Sequence, residues 1–178
     1  MQFEILIPRA DLERRARELA TAIAPPADGA PPVVVAVLEG ARPFADLLCR
    51  HLPGRPSWQG IRASSYGDGT VSRGAVAVQG EEQLEVRGRT VLLVEDIVDT
   101  GRTVQRIRES LFARGAVAVQ VATLLSKPAR RVVPVVLEHV GFEVPDAFVI
   151  GFGMDAAGCY RDLPYVAIHP TEGGSRSA

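Results

Sequence analysis

Cysteine is scarce in these 178 residues: Cys49 and Cys159 are the only two. One sits in the helical pattern FADLLCRHL and the other in a glycine-containing loop, so they make no disulfide framework and both read as free thiols. Histidine is nearly as rare. His51, His139 and His169 stand far apart, without an i,i+4 or cysteine-spaced partner, which leaves a histidine-based metal centre unsupported. No charge of one sign dominates either. Lys+Arg number 20 against 21 Asp+Glu, a formal net charge of −1, and no basic run of five or more residues offsets this locally. The field that gathers nucleic acid is therefore absent, and no nucleic-acid partner is expected. Long apolar runs are missing as well. The longest is Val33 to Leu38, too short to span a bilayer, and Met1-Gln2-Phe3-Glu4 lacks the basic start and apolar stretch of a signal peptide. No membrane partner is expected, and the expected location is the cytoplasm.

What remains, 47% hydrophobic and 23% charged, is the balance of one globular domain with an ordinary core. Asp11 is expected to cap a helix whose apolar face is Leu12, Ala16, Leu19 and Ile23, and Pro25-Pro26 to stop it. Residues 24–32 then read as a surface connection. VVVAVL, apolar on both faces, predicts a strand covered on both sides, and RPFADLLCRHL predicts a helical return. A further strand is expected from Ile61 to Tyr66, a polar glycine-rich segment over 67–74, and a short strand from Ala75 to Gln79. VLLV, at 91–94, followed by a helix from about Arg102 to Arg114, repeats the strand-helix step, and Val117 to Leu125 supplies another strand. Residues 148–151 and 165–168 are strand-like, and 171–178 reads as a frayed tail. This alternation predicts an α/β fold with a mostly parallel central sheet flanked by helices, and ligands bind such sheets beyond the carboxyl ends of the strands.

Glu95 to Thr103 lies at such an end. In VEDIVDTGRT, two acids close a buried strand, and Asp99-Thr100-Gly101-Arg102-Thr103 opens a helix. Free backbone N–H groups, two threonine hydroxyls and a glycine that admits close approach can together cradle a phosphate. The plainer reading is that Thr100 or Asp99 is only an N-cap. Glu95 and Asp96 ask for more. Adjacent acids are expected to face apart and not to pair with each other, and ionised carboxylates without a partner are costly to bury. Vicinal ribose hydroxyls, with or without Mg²⁺, satisfy both.

The stretch resembles the phosphoribosyl-diphosphate (PRPP) motif of type I phosphoribosyltransferases. From the first helix to Ile168 the chain is similar to hypoxanthine-guanine phosphoribosyltransferases. LEGA at 38–41, SSYG at 64–67, LLSKPARR at 124–131, and FVIGFGMD with YRDLPY within 148–165 carry the likeness in order. The resemblance implies one phosphoribosyltransferase domain over residues 1–170, with a small hood built from the chain ends and a flexible tail over 171–178. It implies transfer of the phosphoribosyl group from PRPP to hypoxanthine or guanine, giving IMP or GMP and pyrophosphate, with Mg²⁺, in a homodimer or homotetramer.

It also implies roles. Glu95 and Asp96 hold the ribose hydroxyls with Mg²⁺, Asp99 to Thr103 (Asp99, Thr100, Gly101, Arg102 and Thr103) hold the 5′-phosphate, and Asp99 takes the purine imidazole proton. Leu38, Glu39 and Gly40 present backbone amides to pyrophosphate, and Arg161 is directed at the same group. Lys127 donates to the purine O6, Phe148 stacks on the ring, the backbone of Val149 reads the base edge, and Asp155 holds a second Mg²⁺. Ser65 and Tyr66 belong to a mobile loop that covers the reacting centre, and Arg131 is a weaker candidate for the pyrophosphate region. Each residue has a plainer alternative: Lys127 snorkelling into water, Phe148 in the core, Asp155 in a turn, Arg161 paired with Asp162, and an ordinary hairpin at 65–74. Glu39 departs from the family, which often has a basic residue there. Its side chain is expected to point away from PRPP, toward solvent or a neighbouring subunit's arginine. Two competing functions remain. A PRPP-sensing regulator of the same fold would not need Lys127, Phe148 and Asp155, and a response-regulator-like module would leave Thr100 to Thr103 unexplained.

Overall fold

A computed structural model of the chain describes residues 3–23, 29–65 and 76–170. Its central sheet has six strands in the order β4-β3-β2-β5-β6-β7, namely Val76–Gln79, Trp58–Ser65, Val33–Leu38, Thr90–Val98, Ala118–Ser126 and His139–Glu143. All neighbours run parallel except the edge pair of β3 and β4. The expected α/β architecture is the one observed. Val91, Leu92, Leu93 and Val94 of β5 alternate between two cores, one beneath helices α1 (Arg9–Ala22) and α2 (Arg42–His51) and one beneath α3 (Arg102–Ala113). Each such side chain stabilises by roughly 1.5–3 kcal/mol on burial, which offsets the cost of carrying an acid into the end of the strand.

A second sheet, β1-β9-β8, joins Glu4–Ile7, Val166–Ile168 and Val149–Ile150 in antiparallel pairs. It is the hood that the resemblance implied, made from both ends of the chain. Two details differ from expectation. Helix α1 starts at Arg9, behind Pro8 and without a side-chain cap, so Asp11 is a first-turn acid, and its carboxylate pairs with Arg14 at 2.6 Å. The chain before it is strand β1, and β7 is a further strand that the sequence pattern did not suggest. Residues 171–178 of the expected tail, and 66–74 of the glycine-rich segment with Tyr66, lie outside the described residues. Strand register positions the site: Leu38 lies opposite Arg62, Glu95 opposite Thr123, and Val98 opposite Ser126, all at carboxyl ends.

Candidate active site

The chain leaves β5 through Asp99-Thr100-Gly101 and enters α3 at Arg102. Gly101 has φ 87°, and a Cβ there would meet Val135 Cγ1 at 2.9 Å and Arg131 Cδ at 3.1 Å, so only glycine fits. The Thr100 carbonyl accepts hydrogen bonds from the amides of Val132 (3.1 Å) and Val133 (3.2 Å), which fastens the 131–133 segment over the turn. The turn, the end of β5 and the start of α3 line a cavity of about 90 Å³, with Glu95, Ile97, Asp99, Thr100, Gly101 and Thr103 among its walls. A small oxyanion is matched to it in size and in its N–H and hydroxyl donors.

Glu95 is 7% exposed and its Oε2 has no hydrogen-bond partner. Burial lifts its carboxyl well above the ordinary range, and the neighbouring Asp96 charge lifts it further. Burial raises Asp96 as well. Glu95 lines the cavity and Asp96 does not, and the two carboxyls remain close enough for each to act on the other. The Ile97 amide donates to Asp96 Oδ1 at 2.9 Å. Asp96 also lies directly against Gly40, where any Cβ would overlap its Oδ2.

Asp99 Oδ1 stands 3.8 Å from Lys127 Nζ, and its Oδ2 stands 3.7 Å from Arg130 Nε. Lys127 is buried, at 5% exposure, with its amide donating to the Val98 carbonyl at 3.0 Å. The snorkelling alternative therefore fails. Arg130, which also pairs with Asp146 at 3.2 Å, is a neighbour of Asp99 that the sequence reading did not single out, although it lies inside LLSKPARR. Arg131 packs on Gly101 and donates to Ser126 Oγ at 2.9 Å, while its Nη1 is buried without a partner and burial lowers its pKa.

Phe148 is 46% exposed, its ring edge-on to His169 at 5.6 Å, so it is not a core aromatic. Val149 is buried in β8 beside it. Arg161 does not pair with Asp162. It forms a 2.7 Å ion pair with Asp155 and donates to the Gly153 carbonyl at 3.0 Å, while Asp155 also accepts from the Gly158 amide at 2.6 Å and so closes a turn. Gly153 sits on the Gly40 carbonyl, with no room for a Cβ, which brings the Asp155–Arg161 turn onto the Leu38–Ala41 loop. Within that loop the Leu38–Glu39 peptide bond is cis. Glu39 pairs with Arg62 at 2.6 Å and Arg42 at 3.2 Å, and the Arg62 hydrogen bond holds its pKa below the ordinary range. These arginines belong to its own chain, and the Glu39 side chain remains 36% exposed, in line with the expected course toward solvent. Ser65 ends β3.

Among the described residues no group of three or more His, Cys, Asp or Glu side chains could hold a metal ion by itself. A Mg²⁺ site here requires oxygens from substrate and water, as Mg²⁺ usually does beside one or two carboxylates. The unpartnered Glu95 oxygen beside Asp96 fits that kind of site.

Residues 8–157 match the phosphoribosyl transferase domain. The chain belongs to the phosphoribosyl transferase family. Within this family it is 38% identical over 165 residues to the hypoxanthine-guanine phosphoribosyltransferase of Streptococcus thermophilus, covering 93% of this chain and 92% of that protein. A crystal structure of a hypoxanthine-guanine phosphoribosyltransferase from Bacillus anthracis superimposes with a TM-score of 0.87 at 37% identity, over 94% of this chain and 99% of that one. The bifunctional protein TilS/HprT of Listeria innocua is 41% identical over 93% of this chain, which spans 26% of the length of that relative.

Proposed function

We infer that the chain is a purine-salvage enzyme: it transfers the 5-phosphoribosyl group of PRPP to hypoxanthine or guanine and releases pyrophosphate, forming IMP or GMP. The carrying observation is the buried Lys127 ammonium 3.8 Å from Asp99, which lines the cavity assigned here to the phosphate. A buried cation there supplies a donor for a carbonyl at the purine 6-position, which a PRPP sensor would not need. In this reading Glu95 and Asp96 accept the ribose 2′- and 3′-hydroxyls, which gives the unpartnered Glu95 oxygen a donor. The turn from Asp99 to Thr103 holds the 5′-phosphate. The purine, stacked on Phe148 and read by the Val149 backbone, attacks the anomeric carbon through an imidazole nitrogen. The bond from that carbon to pyrophosphate breaks as the carbon–nitrogen bond forms, and the nitrogen's proton goes to Asp99. Positive charge developing on the ribose is favoured by the strand-end carboxylates. Arg161 offers a guanidinium fork to the departing pyrophosphate.

Mg²⁺ supplies charge neutralisation on the diphosphate when bound, with Glu95 and Asp96 at one position and Asp155 at a second. Residues 1–170 act as one domain, in a homodimer or homotetramer in the cytoplasm. The test is chromatographic detection of nucleotide from PRPP and Mg²⁺ with hypoxanthine, guanine, xanthine or adenine. Formation of IMP or GMP, with little from adenine, is expected. PRPP binding without turnover of any base would favour the regulatory alternative.

A further inference from the structure

Glu39 puts a carboxylate into the loop that meets the diphosphate end of PRPP. The structure surrounds it with cations. Arg62 Nη2 lies 2.6 Å from Oε1 and Arg42 Nη2 lies 3.2 Å from Oε2, one guanidinium on each oxygen. Strand pairing sets the first contact, because Leu38 of β2 lies opposite Arg62 of β3. The second is fixed from behind: the Arg42 guanidinium lies 5.9 Å from the Trp58 ring centroid, and Trp58 Nε1 donates to Asp46 at 2.8 Å. The trio belongs to the cleft electrically. Arg161 acts on both Glu39 and Asp96, and Gly40 touches Asp96 directly.

One carboxylate and two guanidiniums sum to +1, the charge of a single basic residue in the same loop. Exposed ion pairs contribute little to stability, and the Arg62 side chain is 67% exposed, so holding the fold together is a poor explanation for the arrangement. We propose that Arg62 is a charge-compensating residue that cancels the repulsion of Glu39 toward the diphosphate of PRPP and thereby sets PRPP affinity. The proposal rests on the PRPP-dependent activity above and assigns a role to a residue outside the PRPP motif.

The test compares the parent, Arg62→Gln and the double variant Glu39→Gln/Arg62→Gln, with melting curves to check folding. Initial rates are measured against PRPP at low and physiological ionic strength, alongside calorimetric titration with PRPP and Mg²⁺, which needs no purine. Arg62→Gln brings the trio to zero charge. It should raise KM and Kd for PRPP about tenfold at low salt, with kcat within about twofold and the effect shrinking as salt is added. The double variant returns the trio to +1 and should recover affinity to within about threefold of the parent. An Arg62→Gln enzyme with parental PRPP affinity overturns the proposal. So does a double variant as weak as the single, which would mean that Arg62 touches the ligand itself. A parent that binds PRPP but turns over none of the bases overturns the purine assignment, while the calorimetric ordering still decides the role of Arg62.

Discussion

Replacing Glu95 by glutamine should stabilise the ligand-free protein and weaken its hold on PRPP. Glu95 is 7% exposed with one carboxylate oxygen unpartnered, and Asp96 beside it carries a second acid. Burial lifts the folded-state pKa of Glu95 well above its ordinary 4.5, so the native protein binds this proton more tightly than the unfolded chain does. Stability from the site is then greatest below that ordinary value and is lost as pH rises toward the folded-state pKa. Asp96 acts in the same direction from its ordinary 3.8. While one such site titrates, the slope approaches about 1.4 kcal/mol per pH unit. Glutamine keeps the shape and removes the charge. Removing an unpaired charge from this buried position is worth roughly 1–3 kcal/mol, or several degrees of melting temperature for a chain of this size. The assay is calorimetric melting of parent and variant from pH 5 to 8, without ligand and with PRPP and Mg²⁺. The variant's advantage should grow with pH in the ligand-free pair, and its stabilisation by PRPP should be smaller than the parent's. A difference independent of pH, or a less stable variant at pH 8, would refute the reasoning.

Asp99→Asn should bind PRPP like the parent and lose about 10²- to 10⁴-fold in turnover, because the amide matches the carboxylate in shape and cannot accept the imidazole proton. Single-turnover kinetics at saturating substrates check this, and parental turnover would remove Asp99 from the base role. Lys127→Ala should weaken hypoxanthine and guanine use by about 10- to 100-fold, as loss of a charged hydrogen bond does, and narrow the preference over adenine. The ratio of hypoxanthine to adenine kcat/KM is the readout, and an unchanged ratio would remove Lys127 from base recognition.

Much of this was legible from periodicity. VLLV, buried on both faces, and its repeated strand-helix steps fixed the parallel core, because continuous apolar runs ended by turn residues have few other solutions. Strand β1 was not legible: in EILI the first two residues are exposed, and its partner β9 lies more than 150 positions away, so no local signal marks it. At the site, the type of residue was readable and its orientation was not. Alternation along a strand suggested that Glu95 and Asp96 face apart, but not that the Ile97 amide would donate to Asp96 or that Gly40 would lie against it. The Glu39 partners were hidden for a similar reason. Arg62 is 23 positions away, and only strand register brings the two together. For Lys127 the residues alone suggested snorkelling into water, beside the purine contact that the resemblance implied, and the structure buries it.

A crystal structure with IMP bound tests the account most directly, since it claims that one ligand spans the acids, the turn and the buried lysine. The 5′-phosphate should lie in the cavity formed by Thr100, Gly101 and Thr103, and the ribose hydroxyls within hydrogen-bond reach of Glu95 or Asp96. The purine should lie against Phe148 with its O6 at Lys127 Nζ. A phosphate bound elsewhere, or a purine that leaves Lys127 and Phe148 untouched, would contradict the site assignment at its centre.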